Sequence, residues 1–230
     1  EMWQGIASTA DDYASDSAVR VVLISGAGDK AFSAGADISQ FAEKRSSKAA
    51  TVDYNATVKK ALHAVDQIGK PTIAMIHGFC VGGGMSLATH FDLRLASDDS
   101  RFGIPAAKLG LAYRWEDIQA LVQLIGPTFT REILYTGRLF DASEALQMGL
   151  VNRVVPEGEV LQEAEKLAME ISCFLQKCMR EDRLSLKQQE GMNMKEVMVN
   201  EFGQGLQVLE EEAFPGAERF AEGEGRHGTF

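Results

Sequence analysis

The run from Val19 to Ser25, VRVVLIS, is mostly β-branched or apolar and stops at Gly26-Ala27-Gly28, the pattern of a buried strand entering a loop. A second apolar run spans Thr72 to His77. Between the two, Val58, Leu62, Val65 and Ile68 recur at helical spacing across Ala49 to Ile68. Strand, helix and strand in that order predict a parallel sheet with crossover helices.

The same reading carries on downstream. Gly84 to His90 predicts a short helix, Phe91 to Ala96 a strand, and Asp117 to Ile125 a helix that Gly126-Pro127 ends. Thr128 to Thr136 predicts a further helix with a capping Thr, Ala142 to Met148 another, and Val151 to Val155 a strand. The start, EMWQGIASTADDYASD, reads as a helix entered partway, which predicts that an N-terminal piece precedes Glu1. From Leu161 onward the pattern is helical and more charged, with Glu210 to Glu212 read as a solvated face and GEGRHG as a flexible end. No strict repeat is visible, only a loose recurrence of strand, turn and helix.

Composition narrows the class. The 230 residues are 45% hydrophobic and 24% charged, enough for a sizeable globular core. The formal net charge of −10 argues against a duplex nucleic-acid partner, which needs a clustered cationic surface, and favours a small substrate. Cys80, Cys173 and Cys178 match neither a metal cluster nor a disulfide framework, so the expected compartment is reducing, the cytoplasm, with no metal. No apolar run approaches the ~20 residues that span a membrane, and Glu1 to Gly5 do not read as the start of a signal peptide.

Two small-residue turns invite chemistry. Ser33-Ala34-Gly35-Ala36-Asp37-Ile38 and Val81-Gly82-Gly83-Gly84-Met85-Ser86 each follow a predicted strand. Consecutive glycines are conformationally costly, so something must come close to that backbone. Two unobstructed N–H groups converging on one carbonyl oxygen would form an oxyanion hole, each donor worth roughly 2.7–4 kcal/mol when charge develops in a dry pocket. Tight turns packed under helices would leave the same pattern. Gly26-Ala27-Gly28-Asp29-Lys30-Ala31 also matches the dinucleotide fingerprint G-x-G-x-x-A, but that fingerprint opens a helix at once, whereas here small residues and a further glycine follow.

AFSAGADI, KPTIAMIHGFCVGGGMSLATHFDLRLAS, FGIPAAKLGL and EILYTGRLFDASEALQMGLVNRVVP, in that order, resemble the enoyl-CoA hydratase/isomerase (crotonase) superfamily. The resemblance covers roughly residues 1–160, with a compatible helical tail. It implies an α/β fold, a crotonase-like spiral of ββα units over residues 1–160, and a C-terminal helical trimerisation region over residues 161–230. A homotrimer or dimer of trimers is implied, as is a tunnel presenting an acyl-CoA thioester, coenzyme A entering as part of the substrate and no other cofactor. The family's usual N-terminal strands, and a basic residue for the CoA phosphates, are expected before Glu1.

By the same resemblance the backbone N–H groups of Ala36 and Gly83 hold the thioester oxygen and stabilise an enolate. The segment Ala34 to Ile38 lines the CoA and pantetheine path, with Asp37 beginning a helix, and Ala34, Asp37, Ile38, Gly82, Ser86 and Ala106 are the expected substrate-binding residues, Ser86 at most orienting a water or a polar group of the substrate. The two hydratase glutamates of the family fall here at Ser86 and Ala106, and neither side chain titrates near neutral pH. Ordinary syn-hydration needs a base for water and an acid for the α-proton, each worth about 10²–10⁴-fold. The loop Leu111 to Asp117 supplies the substitutes: Glu116 and Asp117 as acid or base and Tyr113 as a phenol donor. Their structural readings are helix capping by Asp117, charge at a helix start for Glu116, and pairing of either with Arg114. Glu132, His77, His90, Met148 and Cys80 read as structural. Isomerisation, decarboxylation, C–C or thioester cleavage, atypical hydration, and a non-catalytic acyl-CoA binder all stay open.

Overall fold

The structure, a computed structural model, describes residues 1–36, 47–188 and 193–223. Two four-stranded sheets organise it. The first has the order β1 (Val22–Ser25), β3 (Thr72–Ile76), β5 (Leu93–Ser97), β8 (Arg153–Val155), all parallel. The second has the order β2 (Ala31–Ser33), β4 (Phe79–Val81), β6 (Arg101–Gly103), β7 (Leu139–Asp141), parallel except for the antiparallel β6–β7 pair. Each of the first three turns of the chain thus lays one strand in each sheet before a helix returns it, which is the ββα spiral. The one-sheet expectation is corrected: strands of three residues carry no readable periodicity, and the second sheet is made entirely of them.

Helices connect and cover the sheets: α1 (Met2–Ser15), α2 (Lys48–Asp66), α3 (Gly83–Ala88), α4 (Trp115–Thr136), α5 (Ala142–Met148), α6 (Val160–Cys173), α7 (Gln176–Gln188), α8 (Met194–Val208) and α9 (Phe214–Glu222). Within α4 the two helices expected across residues 117–136 are present, separated by a kink at Gly126, whose φ of 71° lies in the left-handed region just before Pro127. None of the described helices is long and apolar enough to cross a membrane.

Strand β3 is buried along its whole length and shows how the core is divided. Ile73 and Met75 face a cluster with Leu95 and the Val160, Ala164 and Ala168 stripe of α6, while Ala74 and Ile76 point the other way into the main core, as a period of two requires. Phe102 on β6 is fully buried and stacks on Phe140 of β7 with ring centroids 5.7 Å apart. Phe102→Ala should lower the unfolding free energy by about 3–5 kcal/mol, read from the urea midpoint at unchanged m-value.

Buried cations tie the layers together. Lys70 Nζ bonds the carbonyls of Tyr13, Ala14 and Asp16, closing the C-terminal end of α1. Arg94, pushed down to about 10 by burial against the opposing charge of Asp92, bonds the Leu150 and Phe91 carbonyls. Arg183 of α7 reaches Asp92 at 2.7 Å and Lys187 reaches Asp66 at 3.0 Å, so the helical tail is docked on the core by two ion pairs. The acidic run departs from the solvated-face reading: the Glu212 carboxylate accepts the Lys177 and Cys178 N–H groups at 2.9 and 2.6 Å, and Glu211 pairs with Lys177. It caps the start of α7 from across the chain, an arrangement that no local pattern encodes. The flexible end expected at GEGRHG lies, from Glu224 onward, outside the described residues.

Candidate active site

The two glycine-rich turns come together at the ends of β2 and β4. A Cβ built on Gly83 would lie 3.8 Å from the Ala36 nitrogen and 3.4 Å from the Trp3 ring, and one on Gly35 would stand 2.9 Å from the Val81 carbonyl oxygen and 3.4 Å from the Gly83 nitrogen. The glycines of the triplet differ in purpose. Gly82 has φ 55° and caps α3, a conformation costly for any other residue, while a Cβ on Gly84 would meet the Ser33 carbonyl oxygen at 2.6 Å. Gly83 is the first residue of α3, so the helix itself offers its N–H no acceptor. The Ala36 and Gly83 amides therefore lie close together, with the Trp3 ring as a neighbouring side chain. In contrast, the stretch after Gly28 leads into β2 rather than a helix, which removes the dinucleotide fingerprint.

Ala36 and Gly83 both line a cavity of about 180 Å³. Among its walls are Ala34, Ala36, Gly82, Gly83, Ser86, Ala106, Tyr113 and Asp117, drawn from four separate segments of the sequence. Asp37 and Ile38 lie outside the described residues. Glu116 does not reach this cavity: its carboxylate bonds Lys59 Nζ at 2.7 Å with 45% of the side chain exposed, and that hydrogen bond together with the Lys59 charge holds it below the usual carboxylate range. Glu116 and Asp117 are adjacent on a helix, and the ~100° turn between them sends one outward and the other inward.

Asp117 is 1% exposed. The capping role expected for it is not what forms: no side chain caps α4, and Asp117 Oδ2 instead accepts from Arg114 Nε at 2.7 Å. Its Oδ1 is buried with no hydrogen-bond partner among the described residues. A buried carboxylate oxygen without a partner is costly in a purely structural role, so a water or a ligand atom is expected to meet it.

Tyr113 Oη lies 2.5 Å from Ser86 Oγ and donates to the Gly82 carbonyl at 3.1 Å. Burial, and then the charge of Asp117, push its phenol above the ordinary tyrosine value, so it is a neutral donor at physiological pH. Ser86 and Tyr113 thereby brace the glycine turn. Cys80, beside that turn, is fully buried, and burial raises its thiol well above the ordinary range, in keeping with a packing role. Glu132 pairs with Arg138 away from the cavity, and Met148 is packed in the core.

One pair escaped sequence reading. His90 Nδ1 sits 2.8 Å from Asp66 Oδ2, an aspartate–histidine dyad, and His90 Nε2 is buried with no partner among the described residues. Burial raises the Asp66 carboxyl, but its bonds to His90 and Lys187 and their charges outweigh that and hold it low. The partners stand on different elements, so no short spacing announces them. Among the described residues, no His, Cys, Asp or Glu side chains group in a way that could hold a metal.

A spiral of ββα units whose two glycine turns meet at the ends of β2 and β4 defines the class, and the comparisons agree with it. The sequence model of the enoyl-CoA hydratase/isomerase family matches residues 1–222, and the chain belongs to that family. It is 39% identical over 153 residues to a crotonyl-CoA hydratase from Syntrophomonas wolfei, covering 66% of this chain and 58% of the relative. It is 36% identical over 156 residues to a short-chain-enoyl-CoA hydratase from Clostridium acetobutylicum, covering 68% and 59%. These matches span less than two thirds of either relative's length. Among solved structures, an enoyl-CoA hydratase/carnithine racemase from Magnetospirillum magneticum superposes with a TM-score of 0.90 at 31% identity, covering 96% of this chain and 82% of that one.

Proposed function

We propose that the chain is an acyl-CoA-processing enzyme in which the Ala36 and Gly83 N–H groups hold a thioester carbonyl and Asp117 moves a proton at the adjacent carbon. The observation that carries this reading is the unpartnered, buried Oδ1 of Asp117 in the wall of the cavity that the two amides share. The reaction it fits best is double-bond isomerisation. The Asp117 carboxylate removes the α-proton of a β,γ-unsaturated thioester, the electron pair moves onto the carbonyl oxygen to form a dienolate, and the amides stabilise the oxyanion. The same carboxylic acid then returns its proton at the γ-carbon, leaving the α,β-unsaturated product. One carboxylate suffices, whereas hydration needs a second group, and neither Ser86 nor Ala106 can supply it.

Tyr113 and Arg114 serve this group: Arg114 orients the Asp117 carboxylate, and the neutral Tyr113 phenol fixes the Gly82 turn that presents the amide. No metal or redox group takes part, and coenzyme A enters with the substrate. The cavity of about 180 Å³ and the names of the two curated relatives favour short enoyl groups over long ones. A homotrimer or a pair of trimers, built on the tail with its exposed Leu186, Met198, Val199 and Phe214, completes the reading and is checked by light scattering.

The second reading is a non-catalytic acyl-CoA binder, favoured by the titration-silent Ser86 and Ala106 in the cavity wall. A panel of short and long thioesters, including β,γ- and α,β-unsaturated ones, separates the two. Migration of the double bond in the short members supports the isomerase, water addition redirects the assignment to atypical hydration, and tight binding with no product from any member overturns the enzymatic reading.

A further inference from the structure

A second cavity, of about 370 Å³, lies on the other side of Asp117 and shares Asn55, Arg114 and Asp117 with the first. Both buried atoms left without partners in this region, Asp117 Oδ1 and His90 Nε2, belong to residues that line it. His90 is held by Asp66, which bonds Nδ1, while Nε2 is buried without a partner among the described residues, and Lys187 of α7 pairs with the other Asp66 oxygen. The remaining charges are Lys59 and His63 from α2 and Glu116 and Arg114 around the start of α4. A third cavity of about 360 Å³ continues past His63, Asp66, His90 and Glu116. A packed core has no need of a buried imidazole nitrogen left without a partner beside a cavity.

We infer that the second cavity is the proton port of the active site, in which the Asp66–His90 dyad exchanges the proton of Asp117 with solvent. This rests on the reading of Asp117 as the acid and base. After the α-proton is taken, protonated Asp117 passes it through water in the cavity to His90 Nε2. The imidazolium, balanced by Asp66 at Nδ1, releases it to water beyond. His90 is a positioning residue, since it acts on the substrate only through Asp117. The chemistry competes with direct return of the same proton to the γ-carbon, so the port decides how much solvent hydrogen enters the product.

The test runs the full-length chain in D₂O with a short β,γ-enoyl-CoA and measures deuterium at the γ-carbon by mass spectrometry. His90→Gln is expected to lower solvent deuterium in the product several-fold while turnover falls less than about threefold, and added imidazole should restore exchange in His90→Gly. Asp66→Asn, which keeps the imidazole but removes its counter-charge, should lower exchange in the same direction and carries the test if the His90 variants fold poorly. Unchanged deuterium content in these variants, with Asp117→Asn inactive, overturns the port and leaves the acid–base reading intact. An active Asp117→Asn overturns the acid–base reading itself.

Discussion

Gly83→Pro is expected to fold, to bind a saturated acyl-CoA, and to lose about 10²–10³-fold in kcat. The substitution suits the position for a structural reason: Gly83 is the first residue of α3, the helical site where proline is best tolerated because its missing N–H has no helical acceptor to lose. What disappears is the donor that the proposal places on the thioester oxygen. Gly83→Ala is the matched control, since it adds the same Cβ, 3.4 Å from the Trp3 ring, and keeps the N–H. The ratio of the two turnover rates isolates the amide from the crowding. Equal rates in both variants, with folding verified by circular dichroism, would show that the oxygen is held elsewhere.

Asp117→Asn should have the other large effect, a loss of about 10²–10⁴-fold in kcat with the dissociation constant of an unreactive acyl-CoA changed only a few-fold. Asparagine is nearly isosteric and can still accept from Arg114 Nε, so the contact at 2.7 Å is retained in form while the ability to carry a proton is lost. The split between kcat and binding distinguishes this from a structural role, which would disturb both. If turnover survives, the acid–base assignment to Asp117 fails, and Tyr113→Phe tests whether the phenol in the same cavity wall carries the proton instead.

Much of this was legible before the fold was known. Strands β1 and β3 lie inside the apolar runs that marked them, β5 overlaps its run and ends one residue beyond it, and α2 and α5 fall where the helical pattern put them, because each is long enough to carry a local signal. The second sheet was not readable. Each of its strands has three residues and is specified by pairing across distant sequence, such as Cys80 beside Phe102 and Phe102 opposite Phe140. At the site, the juxtaposition of Ala36 and Gly83 came from the resemblance together with the glycine pattern. The choice between Glu116 and Asp117 depended on where α4 begins, because one residue of helical rotation exchanges inward for outward. The Asp66–His90 pair joins α2 to the turn after α3, and no sequence window contains a reason for that contact.

The proposed amide pair does not depend on side-chain identity. Its donors are main-chain atoms held by backbone packing of Gly35 against Val81 and of Gly84 against Ser33, so side-chain exchange around the cavity leaves them standing. The titratable groups, by contrast, are replaceable attachments on neighbouring segments. On the proposed reading, a carboxylate introduced at Ser86 or Ala106 would join the cavity that the two amides serve, and the scaffold could exchange one reaction for another by single substitutions without rebuilding the amide pair.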